Sequence, residues 1–220
     1  HFFTQTRPAT LVVFDKDGTL KDFHTSWVPW LESNAKRVCS LLDSGAASPP
    51  LDSPRPTIES VFGTVGYFPH LGKEKSLTTD SPLTHASMSC IRKLVEDHVG
   101  PEAIEGWEDK VCPKEVVIDA VIPDLPNSLS QLKNVGGVRL AVATSDTVAN
   151  ASGALHHFNV AQLFDLVIGC DSEGYRLKPE KQILQRLCDE LSIHPHRCVM
   201  VGDTCADMIM AKDSGAIGVG

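Results

Sequence analysis

Apolar and polar positions alternate along this chain in two different rhythms. Short apolar runs, bounded by glycine or acidic residues, occur at Thr10–Phe14, Val138–Ala143, Leu166–Gly169, Cys198–Val201 and Ile217–Val219. Runs this short and rich in β-branched residues predict buried strands. Between the later runs the apolar spacing is helical: Pro126–Lys133, Thr147–His157, Pro179–Leu191 and Ala206–Ser214. In the third of these, Ile183, Leu184, Leu187 and Leu191 share one face. Strand alternating with helix predicts an α/β fold, a doubly wound parallel sheet covered on both faces.

The first strand is cut off from the others by a long stretch without strand signals. Helical spacing recurs at Trp27–Leu42, Thr57–Phe62 and Ala86–His98, where Met88, Ile91, Leu94 and Val95 are expected on one face. Glu102–Val121 reads as helical in part. Asp43–Pro56, dense in Pro, Ser and Gly, predicts an exposed loop, and Gly66–Thr84 a loop with a small hairpin. The chain therefore reads as a discontinuous α/β core, residues 1–20 and 123–220, interrupted by a mainly helical domain at residues 21–122.

Composition narrows the class. A chain of 220 residues that is 42% hydrophobic can bury a core and a second domain. The net charge of -8 and the lack of a long basic run argue against wholesale binding of nucleic acid or acidic membranes. No apolar run approaches the ~20 residues of a membrane helix. The seven cysteines are scattered without a CxxC, which suits reduced thiols and a cytoplasmic protein. The sequence begins at His1, so an upstream targeting segment stays open.

In open α/β sheets, ligands bind beyond the carboxyl ends of the strands. The first strand runs into Asp15-Lys16-Asp17-Gly18-Thr19, the second into Thr144-Ser145-Asp146. The third leads to Lys178-Pro179, and the fourth to Gly202-Asp203 with Asp207 beyond. Carboxylates, a hydroxyl pair and a lysine are the groups needed to hold a divalent cation and a phosphoryl group. Hard oxygen donors favour Mg²⁺, with Asp15 and Asp203 as best candidates and Asp207 as ligand or support. One carboxylate can attack phosphorus while another manages the proton. Thr144, Ser145 and Lys178 could hold the phosphoryl oxygens. Gly18 and Gly202 are expected to allow sharp turns. Lys178 should sit just ahead of a helix opened by Pro179. Lys16 is expected to point away from its neighbours, by the alternation of an extended chain.

The segments FDKDGTL, LAVATSD, LKPE and VGDTCADMIMAKDSGA, in this order, resemble the four motifs of the haloacid dehalogenase-like hydrolase superfamily, closest to its phosphoglycolate phosphatase-like branch. The resemblance implies a Rossmann-like core with strand order 5-4-1-2-3 and a mobile helical cap inserted after the first strand. It implies that Asp15 is the nucleophile and a Mg²⁺ ligand. Asp17 would be the general acid/base and give its backbone carbonyl to the metal. Thr144, with Ser145, would bind phosphate, and Lys178 would neutralise it and orient Asp15. Asp203 and Asp207 would complete the metal site. An acid at Asp17 suits phosphatases and phosphomutases rather than dehalogenases or transport ATPases. The implied substrate is a small phosphorylated metabolite. A phosphomutase, or a binding protein on a retired hydrolase core, are the alternatives.

Other polar clusters have plainer readings. Ser145 and Asp146 could cap a helix. His194-Pro195-His196 reads as a polar turn, since no cluster completes four metal ligands. Trp27 and Trp30 read as packing of the inserted domain, and Cys205 as a small buried neighbour inside the Asp203–Asp207 loop.

Overall fold

The computed structural model describes residues 9–50, 53–72, 76–78, 81–105, 107 and 118–220. Five strands are described: β1 (Leu11–Phe14), β2 (Arg139–Ala143), β3 (Leu166–Ile168), β4 (Cys198–Val201) and β5 (Ile217–Val219). The helices are α1 (Phe23–Asp43), α2 (Ile58–Thr64), α3 (Pro82–His85), α4 (Met88–Val99), α5 (Leu125–Asn134), α6 (Val148–His157), α7 (Gln182–Glu190) and α8 (Cys205–Ser214). Two compact units result, one of His1–Asp22 with Asp119–Gly220 and the other of Phe23–Ile118.

In the first unit the strands form one parallel sheet in the order β3-β2-β1-β4-β5. That is the expected 5-4-1-2-3 order read from the other edge, with β1 in the centre. Alternation divides β1 between two layers. Leu11 and Val13 pack with Ile183, Leu184 and Leu187 of α7 and Met210 of α8. Val12 and Phe14 pack with Leu125 and Leu129 of α5 and Leu155 of α6 on the other face. All four β1 side chains are buried, two in each layer.

Gly169, directly after β3, has a packing reason to be glycine. A Cβ there would lie 2.6 Å from the Asp146 carbonyl oxygen and from the Val148 nitrogen. The loop after β2 thus lies directly against it, and the Cys170 N–H donates to that same carbonyl at 2.8 Å. Because the obstruction is backbone, Gly169→Ala is expected to destabilise the protein by roughly 1–3 kcal/mol. Urea denaturation would measure this, and unchanged stability would contradict the packing argument.

The second unit buries its own core. Trp30, Leu31 and Val38 of α1 meet Val61 of α2 and Ile91, Val95 and Val99 of α4, with Trp107 edge-on to Trp30. Trp27 and Trp30 are packing residues here, as the sequence suggests. On α4 the buried residues are Ile91, Val95 and Val99, whereas Leu94 is exposed. Among its described residues, the loop before α3 has an antiparallel bridge, Tyr67 to Leu77. Most of the expected helix in Glu102–Val121 lies outside the described residues. No helix among the described residues is long and apolar enough to cross a membrane.

Candidate active site

Every candidate residue lies in the first unit, on the loops that follow β1, β2, β3 and β4. Asp15 follows β1 directly, and its N–H donates to the Val201 carbonyl at 2.9 Å, tying it to the end of β4. The chain then turns tightly. The Lys16 carbonyl accepts from the N–H groups of both Leu20 and Lys21, and the Gly18 N–H donates to the Lys21 carbonyl. Gly18 takes φ +89°, open to glycine and strained for other residues. A Cβ there would also fall 2.1 Å from Asp203 Oδ2. The glycine therefore permits both the turn and the close approach of the β4 loop, where Thr19 Oγ1 donates to Asp203 Oδ1 at 3.2 Å.

Gly202 is needed for a different reason from the one the sequence suggests. Its φ is not positive, so it makes no special turn. A Cβ there would lie 2.5 Å from the Asp207 carboxylate, so the glycine leaves room for that side chain. Asp207 is fully buried in a capping box at the start of α8. Its Oδ2 accepts from Thr204 Oγ1 at 2.6 Å, and its own N–H donates back to that hydroxyl at 3.2 Å. Its Oδ1 is left facing Lys178 Nζ at 2.7 Å.

Lys178 Nζ lies 2.6 Å from Asp15 Oδ1 as well, so one buried ammonium bridges two carboxylates. The lysine is delivered by a turn rather than by a helix start. The Glu180 N–H donates to the Leu177 carbonyl, the Lys178–Pro179 peptide is cis, and α7 begins only at Gln182. Proline at the third position of such a turn suits a cis bond, which the expectation of a helix opened at Pro179 missed.

Oxygens of Asp15, Asp203 and Asp207 all lie within 4.8 Å of one another. Three carboxylates against the single ammonium of Lys178 leave two formal negative charges. Burial pushes the Asp15 carboxyl from its ordinary 3.8 up to about 7; Asp207 and Asp17 add to the rise and Lys178 opposes it. Burial also raises Asp203, with Asp207 adding to it. Burial works against the Lys178 charge, but Asp15 and Asp207 outweigh it and hold the ammonium above its ordinary value. Closely set oxygen donors with two uncompensated charges fit a hard divalent cation, which would relieve the strain on Asp15 and Asp203.

A second ionic group sits beside the first and is balanced. Lys16 does not point away from Asp17, because alternation ends where the chain leaves the extended conformation after Asp15. It is buried, with Nζ 2.8 Å from Asp17 Oδ2 and 2.6 Å from Asp146 Oδ2. Lys21 Nζ lies 3.5 Å from Asp17 Oδ1. From the sequence Lys16 is expected to point away and Asp146 to cap a helix, and Lys21 carries no expectation; the structure brings both lysines to Asp17, and Asp146 to Lys16. A lysine between two acids at the end of a buried strand, and another four residues after the second acid, was the available signal.

The hydroxyl pair follows β2. Thr144 is buried, and its Oγ1 accepts from the Asp146 N–H at 3.1 Å. Ser145 Oγ accepts from the Tyr175 hydroxyl at 3.4 Å. Neither Ser145 nor Asp146 caps α6: Thr147 does, accepting from the Asn150 N–H. Between Asp203 and Asp207, Cys205 is the first residue of α8 and is exposed rather than buried as expected. His194 and His196 lie against each other in the turn before β4, with ring centroids 4.0 Å apart.

Comparison with known proteins places this arrangement in a family. A model of the haloacid dehalogenase-like hydrolases matches residues 9–215. A phosphoglycolate phosphatase of Neisseria meningitidis serogroup A is 30% identical over 95% of this chain and 78% of its own length. Another, from Psychrobacter arcticus, is 26% identical over 93% of this chain and 79% of its own. The crystal structure of a predicted phosphoglycolate phosphatase from Haemophilus somnus superposes with a TM-score of 0.58 at 20% identity, covering 96% of this chain and 84% of that one. With an ordered set of motifs, the family's sheet order and a match across nearly the whole chain, this protein belongs to the haloacid dehalogenase-like hydrolases, on their phosphoglycolate phosphatase-like branch.

Proposed function

We propose that this protein is a Mg²⁺-dependent phosphatase that hydrolyses a small phosphate monoester through an aspartyl-phosphate on Asp15. The observation that carries the reading is the cluster of Asp15, Asp203 and Asp207 around Lys178, which holds two more negative than positive charges. Asp15, Asp203 and Asp207 would hold the cation, with the backbone carbonyl of Asp17. When bound, the cation supplies charge that offsets the carboxylates and polarises a phosphoryl oxygen.

The chain's own groups account for the rest. Asp15 attacks phosphorus as the bond to the leaving oxygen breaks, and Asp17 gives that oxygen its proton. Water then attacks the phosphorus and loses a proton to Asp17; the Asp15–phosphorus bond breaks, freeing phosphate and restoring both carboxyl groups. Lys178, held against Asp15, keeps the nucleophile oriented and faces the charge on the phosphoryl oxygens. Thr144 and Ser145 supply hydroxyl donors from the neighbouring strand end. The second unit is assigned the role of the family's cap and the choice of substrate. Phosphoglycolate is the first substrate to test, from the named relatives.

The test is phosphate release from phosphoglycolate and from p-nitrophenyl phosphate. Turnover is expected with Mg²⁺, to fall about 100-fold or more after chelation, and to return when Mg²⁺ is restored. Turnover indifferent to the chelator, or no release from any monoester, would sink the reading.

A further inference from the structure

Lys16 is buried to 2% exposure and Asp146 to 6%, and neither belongs to the cluster of Asp15, Asp203 and Asp207 around Lys178. We propose that Lys16, anchored by Asp146, is the positioning residue that fixes the Asp17 carboxylate for its proton transfers. The inference rests on the reading of Asp17 as general acid/base.

The geometry is a chain of fixed contacts from the β2 loop to Asp17. Asp146 Oδ1 accepts from the Thr147 N–H at 2.7 Å and from Asn150 Nδ2 at 2.8 Å, so the carboxylate is locked to the first turn of α6. Its own N–H donates to Thr144 Oγ1. The remaining oxygen, Oδ2, holds Lys16 Nζ at 2.6 Å, and that ammonium reaches Asp17 Oδ2 at 2.8 Å. Lys21 faces the other Asp17 oxygen at 3.5 Å. In the ionised form of Asp17, the one that takes the proton from water, each carboxylate oxygen therefore faces an ammonium. A buried ion pair seldom adds net stability over apolar packing of the same volume. What it does supply here is a defined rotamer for a side chain on a tight turn. A displacement of about 1 Å in such a group can cost on the order of 100-fold in rate.

Positioning has a kinetic signature that general loss of structure lacks. An alkoxide leaves phosphorus poorly unless it is protonated, whereas p-nitrophenolate leaves without a proton. Asp17 is thus needed for the first step only with alkyl substrates, and for the water step with both. In Lys16→Met, the first-turnover release of p-nitrophenol is expected to stay within about threefold of wild type, followed by steady-state turnover about 100-fold slower. With phosphoglycolate the first turnover itself should slow by about 100-fold, with KM little changed. Lys16→Met leaves Asp146 without its buried partner, so the charge-balanced pair Lys16→Met with Asp146→Asn is measured alongside and read in the same way if the single variant does not fold. Equal loss in burst and steady state for both substrates, or wild-type behaviour in either folded variant, would overturn the inference. If wild type releases no phosphate from any monoester, the reading of Asp17 fails and this inference falls with it. An active wild type with an insensitive Lys16 would remove the positioning role alone.

Discussion

Asp15→Asn is expected to reduce steady-state phosphate release by at least about 10⁴-fold, the scale seen when a nucleophile is removed, while leaving the protein folded. The amide nearly matches the carboxyl in shape and can still accept from Lys178, so packing beneath the sheet end should persist. The same substitution makes a second, independent claim about pH. Asp15 has a folded-state pKa of about 7 against an ordinary 3.8. A carboxyl raised in this way stabilises the fold most below its ordinary value, and that contribution is lost as pH rises through about 7. Metal-free wild type should therefore lose thermal stability between about pH 5 and 8 relative to Asp15→Asn, which cannot ionise. Mg²⁺ competes with the proton for the same oxygens, so it should stabilise wild type more at pH 8 than at pH 5.5. Melting curves with and without Mg²⁺ across this range, beside the activity assay, test both parts. Activity retained in Asp15→Asn would end the nucleophile assignment. Parallel pH profiles in the two metal-free proteins would show instead that the charge around Asp15 is already compensated.

The strands were legible because buried strands leave a local mark, a short apolar run closed by a turn. The four acidic or polar loops were legible for the same reason, since each follows directly from such a run. What escaped was set by contacts distant in sequence or by a change of backbone course. Lys16 was assigned by alternation, which holds only in extended chain. Here the chain folds back within five residues, so that Lys16 turns inward to meet Asp146 on another strand end. Asp146 itself looked like a helix cap because its partner lies 130 positions away, while Thr147 beside it does the capping. The helix after Lys178 starts late because Pro179 belongs to a turn closed by Leu177 and Glu180. In the second unit, α1 begins at Phe23, four residues before its clearest apolar spacing, and carries Pro29 inside it. The residues before that proline, where a helix interior is disfavoured, carry Phe23 and Trp27 into the unit's core.

Lys178→Met is expected to separate folding from catalysis at this site. Removing one partner of a buried, hydrogen-bonded charge pair typically costs about 3–5 kcal/mol, because the remaining charge is left unpaired. Here two carboxylates lose the cation they share: Asp15 at 2.6 Å and Asp207 at 2.7 Å from Nζ. The metal-free variant should accordingly be destabilised by roughly that amount. The acidic cluster would then hold three uncompensated charges rather than two, so added Mg²⁺ has more to neutralise. At a hundredfold excess over Kd, binding to the folded state alone contributes about 2.7 kcal/mol, and the increment should be larger in the variant than in wild type at the same concentration. Catalysis should not recover with stability. Lys178 also faces the transferred phosphoryl group in the proposed reaction, and losing one such fixed donor costs about 10²–10³-fold in kcat. Denaturant midpoints with and without Mg²⁺, set beside kcat at saturating Mg²⁺, distinguish these effects. A variant as stable as wild type without metal would mean that Asp15 and Asp207 do not depend on this lysine. Full recovery of kcat with Mg²⁺ would mean that the lysine serves the fold and the carboxylates, and has no part in handling phosphate.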